Sequence, residues 1–260
     1  MTYAFTKMHG AGNDFALIDD RDCQFPATDD VWLRELADRR RGIGCDGFIL
    51  LQPAAEADFR MRFHNPDGNE VEMCANGARC AARFAHAHGL AGESMRIATV
   101  AGVIHARIEG NLVRLGMPPP QGCELRNTIV GQTVHSVNTG VPHAVVMVDD
   151  VAQADLLGVG GKLRNHVHFA PAGTNVNLVE VCSEGLAVRT YERGVEDETQ
   201  ACGTGVVASA LIARELGLCQ FPVSVFTAGG DVLVVTGVGD DISLIGPAVT
   251  VFEGILTHQP

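Results

Sequence analysis

Cys74-Ala75-Asn76-Gly77 is answered 128 residues later by Cys202-Gly203-Thr204-Gly205, and the pairing of these two stretches decides how the chain is read. Each begins with a cysteine, passes through a short polar, glycine-containing stretch and runs into an Ala-rich segment, Ala78 to His88 and Val206 to Leu216. Both segments stop at a glycine, Gly89 and Gly217, again 128 residues apart. The same shift lays Gly12 to Ile18 on Gly140 to Val146, and Phe48 to Leu51 on Val176 to Val179, and sets Asn65 against Arg193. These runs are apolar, strand-like and preceded by turns containing glycine or asparagine. Chance supplies one such coincidence, but several segments and two cysteines in one register predict two half-chains of the same topology. A repeat this long is a duplicated domain, not a solenoid.

A chain of 260 residues is long for a single hydrophobic core, which agrees with a duplication. The boundary falls at Gly116-Met117-Pro118-Pro119-Pro120, a stiff stretch that cannot be helical, and Gly246-Pro247 marks a second crossing. The expected domains are 1–115 with 248–260, and 116–247, so that the tail returns to the first half. Alternation typical of strands dominates both halves, as in Val103 to Ile108 and Asp231 to Val235. Each half adds one Ala-rich helix, and the first adds another over Asp29 to Arg40, opened by Thr28 or Asp29 as N-cap. The predicted class is α+β: two pseudo-symmetric domains, each a mostly antiparallel sheet wrapped around a central helix.

Composition excludes several functions. The net charge of -12, with no basic cluster to offset it, repels phosphate backbones, so nucleic acid is not an expected partner. No apolar run is long enough to span a bilayer, and Met1 to Lys7 lacks the layout of a signal peptide, so a cytoplasmic protein without membrane contact is expected. The eight cysteines include no Cys-x-x-Cys pair and no zinc spacing, which predicts reduced thiols. Cys23, Cys45, Cys80, Cys123, Cys182 and Cys219 are read as small packing residues. His86 with His88, and His166 with His168, lack the spacing of a helical metal site and are read as surface or loop histidines.

Cys74 and Cys202 stand apart because each opens a helix. Backbone N–H groups and the positive end of the helix dipole then lie beside the sulfur, a setting that lowers a thiol's pKa and attracts anions. The N–H groups of Ala75, Asn76 and Gly77, and of Gly203, Thr204 and Gly205, are candidates to grip a substrate carboxylate. Two such helix starts on equivalent faces of two domains would set the thiols on opposite sides of a bound substrate, the geometry of two-base stereoinversion.

Three stretches resemble signatures of the diaminopimelate epimerase family: KMHGAGNDF at 7–15, HNPDGNEVEMCANGARC at 64–80 and YERGVEDETQACGTG at 191–205. The resemblance implies that Cys74 and Cys202 are the acid and base, that neither pyridoxal phosphate nor metal is used, and that the partner is a small-molecule amino-acid substrate. It also implies that Asn13, Asn65, Asn175, Glu192 and Arg193 hold the substrate's ammonium and carboxylate groups, and that His143 lies beside the cysteines. The implied reaction is epimerisation of LL-diaminopimelate to the meso form for lysine and peptidoglycan precursor synthesis. Ala75, Val141 and Gly47 depart from residues associated with the family; Ala75 keeps its N–H, and so the anion site. A related racemase, for example of histidine, and a thiol-redox or ligand-binding protein are the competing readings, and a homodimer stays open.

Overall fold

In the first half the strands are β1 (Thr2–Gly10), β2 (Asn13–Asp19), β3 (Gly47–Gln52), β4 (Phe59–His64), β5 (Glu70–Val71), β6 (Ser94–Thr99), β7 (Gly102–Glu109) and β8 (Leu112–Gly116), with helices α1 (Asp30–Ala37) and α2 (Ala75–Ala87). The second half carries β9 (Gln121–Ile129), β10 (Gln132–Asn138), β11 (Pro142–Met147), β12 (Asn175–Cys182), β13 (Gly185–Glu192), β14 (Asp197–Thr199), β15 (Val223–Thr227), β16 (Val232–Val238) and β17 (Asp241–Pro247), with helices α3 (Leu156–Arg164) and α4 (Gly203–Glu215). A last strand, β18 (Val249–Thr257), pairs antiparallel with β1. These elements come from a computed structural model that describes residues 1–71 and 73–258. The chain divides into two units, Met1–Leu115 with Gly246–Pro260, and Gly116–Ile245.

The two units repeat one plan. In the first, β2 and β3 run parallel, as do β4 and β6, while β1–β2, β3–β4, β4–β5, β6–β7 and β7–β8 are antiparallel. In the second, β11 and β12 run parallel, as do β13 and β15, and the neighbouring pairs are again antiparallel. One strand of each unit comes from the far side of a crossing. β9 precedes the second unit's other strands and pairs with β10, whereas its counterpart β18 reaches β1 from the end of the chain. That pairing is locked where Met1 and His258 exchange backbone hydrogen bonds.

A central helix lies in each unit. α2 buries Ala75 to Ala82, Phe84 and Ala85, and packs against β1 to β4, β6 and β7. α4 buries all but Thr204, Arg214 and Glu215, and packs against β10 to β13, β15 and β16. A helix hidden on nearly every face needs small side chains where strands approach from several directions, which is why both read as Ala-rich. A second layer forms outside each sheet. Leu33 and Ala37 of α1 pack with Phe5, Ile18, Phe48 and Leu50, and Leu156 and Leu163 of α3 pack with Val134, Val146, Val176 and Leu178.

Three features differ from the sequence expectation. α1 is capped by Asp29, whose side chain accepts the Trp32 N–H at 3.1 Å, but it ends at Ala37 and not at Arg40. Asp38 stops it by taking the N–H groups of Arg40 and Arg41 at 2.8 and 2.7 Å, which turns the chain out of the helix. The second unit has its own outer helix, α3, hidden in the sequence by Gly158, Gly160 and Gly161, which are poor helix formers. Packing explains one of them, because a Cβ on Gly160 would lie 2.5 Å from the Tyr191 ring. Cys23 and Cys123 are exposed instead of packed. Cys23 occupies a left-handed turn position with φ 56°, and Cys123 sits on the exposed part of β9.

Candidate active site

Cys74 is the N-cap of α2 and Cys202 the N-cap of α4, both in extended backbone conformation. Their surroundings are built separately in the two units.

In the first unit, β1 turns into β2 through Ala11 and Gly12, both at positive φ, and brings Asn13 to the start of α2. The approach is close: a Cβ on Gly10 would lie 2.8 Å from the Asn76 carbonyl oxygen. Asn13 is oriented by Asp46, whose carboxylate accepts its Nδ2–H at 2.7 Å and the Asp14 N–H at 3.1 Å. The amide oxygen of Asn13 therefore faces Cys74 Sγ at 3.7 Å and Asn76 Nδ2 at 3.3 Å. Cys74 Sγ also accepts the Gly77 N–H at 3.4 Å, so one of the three N–H groups expected to grip a carboxylate is turned to sulfur. Ala75 is the first helical residue and has no positive φ, so its side chain costs the helix start nothing.

Charges hold this turn from behind. Asp14 pairs with Lys7 and Arg39, and Arg39 also reaches Asp46. Burial opposes ionisation of Asp14, but bonds from Arg39 and Lys7 win and hold its carboxyl far below the usual range. Lys7 Nζ also donates to the Gly44 carbonyl. Arg79, wholly buried on α2, donates to Asn76 Oδ1 at 2.9 Å, the Ala75 carbonyl at 3.3 Å and the Pro247 carbonyl at 3.4 Å. The helix start is thereby tied to the returning tail of the same unit.

In the second unit Cys202 Sγ lies 3.5 Å from Thr204 Oγ1, which lies 2.9 Å from His143 Nε2. His143 Nδ1 meets Asn177 Nδ2 at 3.1 Å. His143 is buried, and its pKa is pushed down to about 3 by burial, then by the nearby Arg193 charge, against a smaller opposing effect of Asn177. Asn175 is also buried, and its Oδ1 accepts the Arg193 N–H at 2.7 Å. Glu192 closes β13 and accepts the Thr199 hydroxyl at 2.8 Å, while the Arg193 side chain donates to the Ala172 carbonyl at 3.1 Å.

The structure thus groups Asn13, Ala75, Asn76 and Gly77 with Cys74, and groups His143 and Thr204 with Cys202. Asn175, Glu192 and Arg193 share one strand-end region of the second unit. Asn65 sits in the loop after β4, which is closed by backbone bonds to Gly68 and Asn69. Gly47 is accounted for by packing, since a Cβ there would come within 2.4 Å of Phe63 and 2.6 Å of the His64 carbonyl. Asp46, Arg79 and Asn177 escaped the sequence reading. Asn177 had a signal, because residues two apart on a strand share a face and Asn175 was already singled out. Burial pushes Cys80 up to about 12 and Cys45 up to about 11, which keeps both as inert thiols. Among the described residues no three His, Cys, Asp or Glu side chains gather as a metal site, and no helix is long and apolar enough to cross a membrane.

Comparison with known proteins gives this geometry a family. The sequence model of the family described as diaminopimelate epimerase matches residues 5–121 and 135–251, once in each half. The diaminopimelate epimerase of Aquifex aeolicus is 42% identical, with 98% of each chain covered. That of Chlorobaculum tepidum is 43% identical over 96% of this chain and 100% of its own. In fold, the chain is similar to a Bacillus anthracis phenazine biosynthesis protein, with a TM-score of 0.75 at 14% identity, covering 99% of this chain and 100% of that one. Two matched half-chains, full-length similarity and a shared α+β architecture have one conclusion: the chain belongs to the diaminopimelate epimerase family, and it is an isomerase.

Proposed function

We propose that this chain inverts one α-carbon of LL-2,6-diaminopimelate to give the meso isomer, with Cys74 and Cys202 as the two proton carriers. One observation carries the reading: in both halves a cysteine occupies the N-cap of the central buried helix. The reaction moves no electrons between substrate and protein. It asks only for a base that removes the α-proton and an acid that returns one to the opposite face, so no cofactor enters the scheme. The thiolate of one cysteine takes the proton, the thiol of the other supplies its replacement, and the roles exchange in the reverse direction.

Negative charge develops on the substrate carboxylate during this exchange. N–H dipoles fixed at a helix start stabilise it without reorganising. Ala75 and Asn76 supply such groups from α2, and Gly203, Thr204 and Gly205 from α4, while Gly77 stays with the Cys74 sulfur. Asn13, Asn65, Asn175 and Glu192 supply amide and carboxylate partners for the ammonium groups, and Arg193 offers a fork to the distal carboxylate. His143 supports the Cys202 side. The reaction suits a reducing cytoplasm, which keeps both thiols reduced, and feeds lysine and peptidoglycan precursor synthesis.

The test incubates reduced protein with LL-diaminopimelate in heavy water and follows α-deuterium incorporation by mass spectrometry and the isomer ratio by chiral chromatography. Deuterium entering as the meso isomer appears supports the proposal. No exchange with this substrate, together with inversion of another amino acid such as histidine, overturns the substrate assignment.

A further inference from the structure

Asn177 on β12 starts a line of hydrogen bonds whose direction is fixed at its origin. Its Nδ2 faces the Ala144 carbonyl at 3.1 Å, and a carbonyl can only accept. Its Oδ1 accepts the Thr190 hydroxyl at 2.9 Å. The amide is therefore oriented, and its nitrogen donates to His143 Nδ1. An imidazole that accepts at Nδ1 carries its proton on Nε2 and donates there to Thr204 Oγ1. A hydroxyl that accepts there keeps its own hydrogen to give, and Cys202 Sγ lies 3.5 Å away, in a contact where either atom can be the donor.

We propose that Thr204, oriented through His143 by Asn177, is a positioning residue that donates its hydroxyl hydrogen to Cys202 Sγ and holds that sulfur as the resting thiolate. The inference rests on the two-thiol reading above and deepens it. His143 is then no base toward the thiol: it stays neutral, in keeping with a pKa pushed down to about 3 by its burial, and it acts as a donor at one remove. The proton that leaves Cys202 goes to solvent. The charged group acting on the line is Arg193, whose field favours the neutral imidazole.

The repeat sharpens the assignment, because the first unit lacks every part of this line. At the 128-residue shift His143 falls on Phe15, Asn177 on Ile49 and Thr204 on Asn76. Asn76 Nδ2 turns to Asn13 Oδ1, which accepts from Cys74 Sγ at 3.7 Å, while the Gly77 backbone N–H donates to that sulfur at 3.4 Å. A side-chain line ending at Cys202, against a backbone donor and an amide acceptor at Cys74, gives the two sulfurs different surroundings and so different proton affinities.

Two measurements test this without using turnover. In protein with nitrogen-15 histidine, NMR near pH 7 should show His143 protonated on Nε2 alone; a proton on Nδ1, or an imidazolium, overturns the inference. The pH profile of Cys202 alkylation by iodoacetamide, read by peptide mass spectrometry and normalised to exposed Cys123, supplies the second. Thr204→Val should raise its midpoint by about one pH unit, the shift expected from losing a hydrogen bond to a charged group, and Thr204→Ser should restore it. An unmoved midpoint in folded Thr204→Val overturns the proposal, and if that variant does not fold the wild-type tautomer decides alone. Turnover by Cys202→Ala would sink the two-thiol reading while leaving the alkylation result standing, so the two failures are distinguishable.

Discussion

Replacing Gly205 with alanine adds one methyl group at the third residue of α4, and the structure fixes what it meets. The new Cβ would lie 2.4 Å from Asn177 Oδ1 and 3.3 Å from both Cys202 Cβ and His143 Cε1. Asn177 cannot retreat cheaply: it is wholly buried and held by Thr190, Ala144 and His143. Overpacking of this kind costs about 1–3 kcal/mol. Breaking one of the buried bonds leaves a polar atom unsatisfied at a further cost of about 1–3 kcal/mol. The better helix propensity of alanine returns only about 0.5–1 kcal/mol. The net is a destabilisation of about 2–4 kcal/mol, which lowers Tm by roughly 5–10 °C in a chain of this size.

The duplicated position gives the control. A Cβ on Gly77 would meet Ile49 Cδ1 at 2.9 Å and Met61 Cε at 3.2 Å, the free ends of flexible side chains. They can shift, and the helix gain offsets most of what remains, so Gly77→Ala should stay within about 1 kcal/mol of wild type. Thermal denaturation followed by circular dichroism measures both. A Gly205→Ala protein that melts within about 1 °C of wild type, or a Gly77→Ala protein that falls further than Gly205→Ala, refutes the reasoning.

Cys74→Ala and Cys202→Ala should each abolish epimerisation while Cys80→Ala retains it; chiral chromatography reads the result, and near-normal inversion in either of the first two ends the two-thiol scheme. Arg193→Met should weaken binding of diaminopimelate by about 2–5 kcal/mol, because a carboxylate left buried without its partner is penalised; isothermal titration checks it, and an unchanged Kd misplaces the distal end of the substrate. His143 gives a pH dependence of stability. Its folded pKa, pushed down to about 3 by burial and by Arg193, lies below the 6.5 of a free imidazole. The unfolded chain therefore takes the proton first as pH falls, and the contribution present above 6.5 is lost on the way down, by about 1.4 kcal/mol per pH unit. Urea denaturation between pH 6.5 and 5 should show a shallower loss for His143→Gln than for wild type; equal slopes would show that the ring is not buried neutral.

Local pattern made much of this fold legible. The 128-residue register, the two cysteine-led helices and the strand alternation are short-range signals, and they survive because each half buries the same faces of the same elements. What stayed hidden depends on partners distant in sequence. α3 went unread because Gly160, a poor helix former, answers to Tyr191 on β13, a constraint invisible from its own neighbours. α1 was read too long because Asp38 was counted for its place in a helical run and not for its ability to cap the turn that follows. Asp46 and Arg79 work through Asn13 and Asn76, so neither announces itself without a contact map, although an arginine inside an Ala-rich buried helix is an anomaly worth pursuing.

Duplication explains the topology, and divergence has to explain the chemistry. Two thiols in identical surroundings would share one pKa and would tend to stand in the same proton state, whereas an inversion must start with one proton to give and one vacancy to fill. The halves can differ only where the difference does not disturb the shared packing, and that leaves the shell around each sulfur. Phe15 against His143 and Ile49 against Asn177 are such exchanges: ring for ring, and branched side chain for branched side chain, at buried positions on equivalent strands. Each apolar partner in the first unit fills space, while its polar counterpart in the second fills space and also orients a donor. The polar pair is tolerated in the core because every hydrogen-bonding atom in the line has a partner, so the desolvation cost is met where it arises. Breaking the line at any one member therefore does more than remove a contact: it leaves the next member with its proton pointing the wrong way, and the fault is passed on to Cys202.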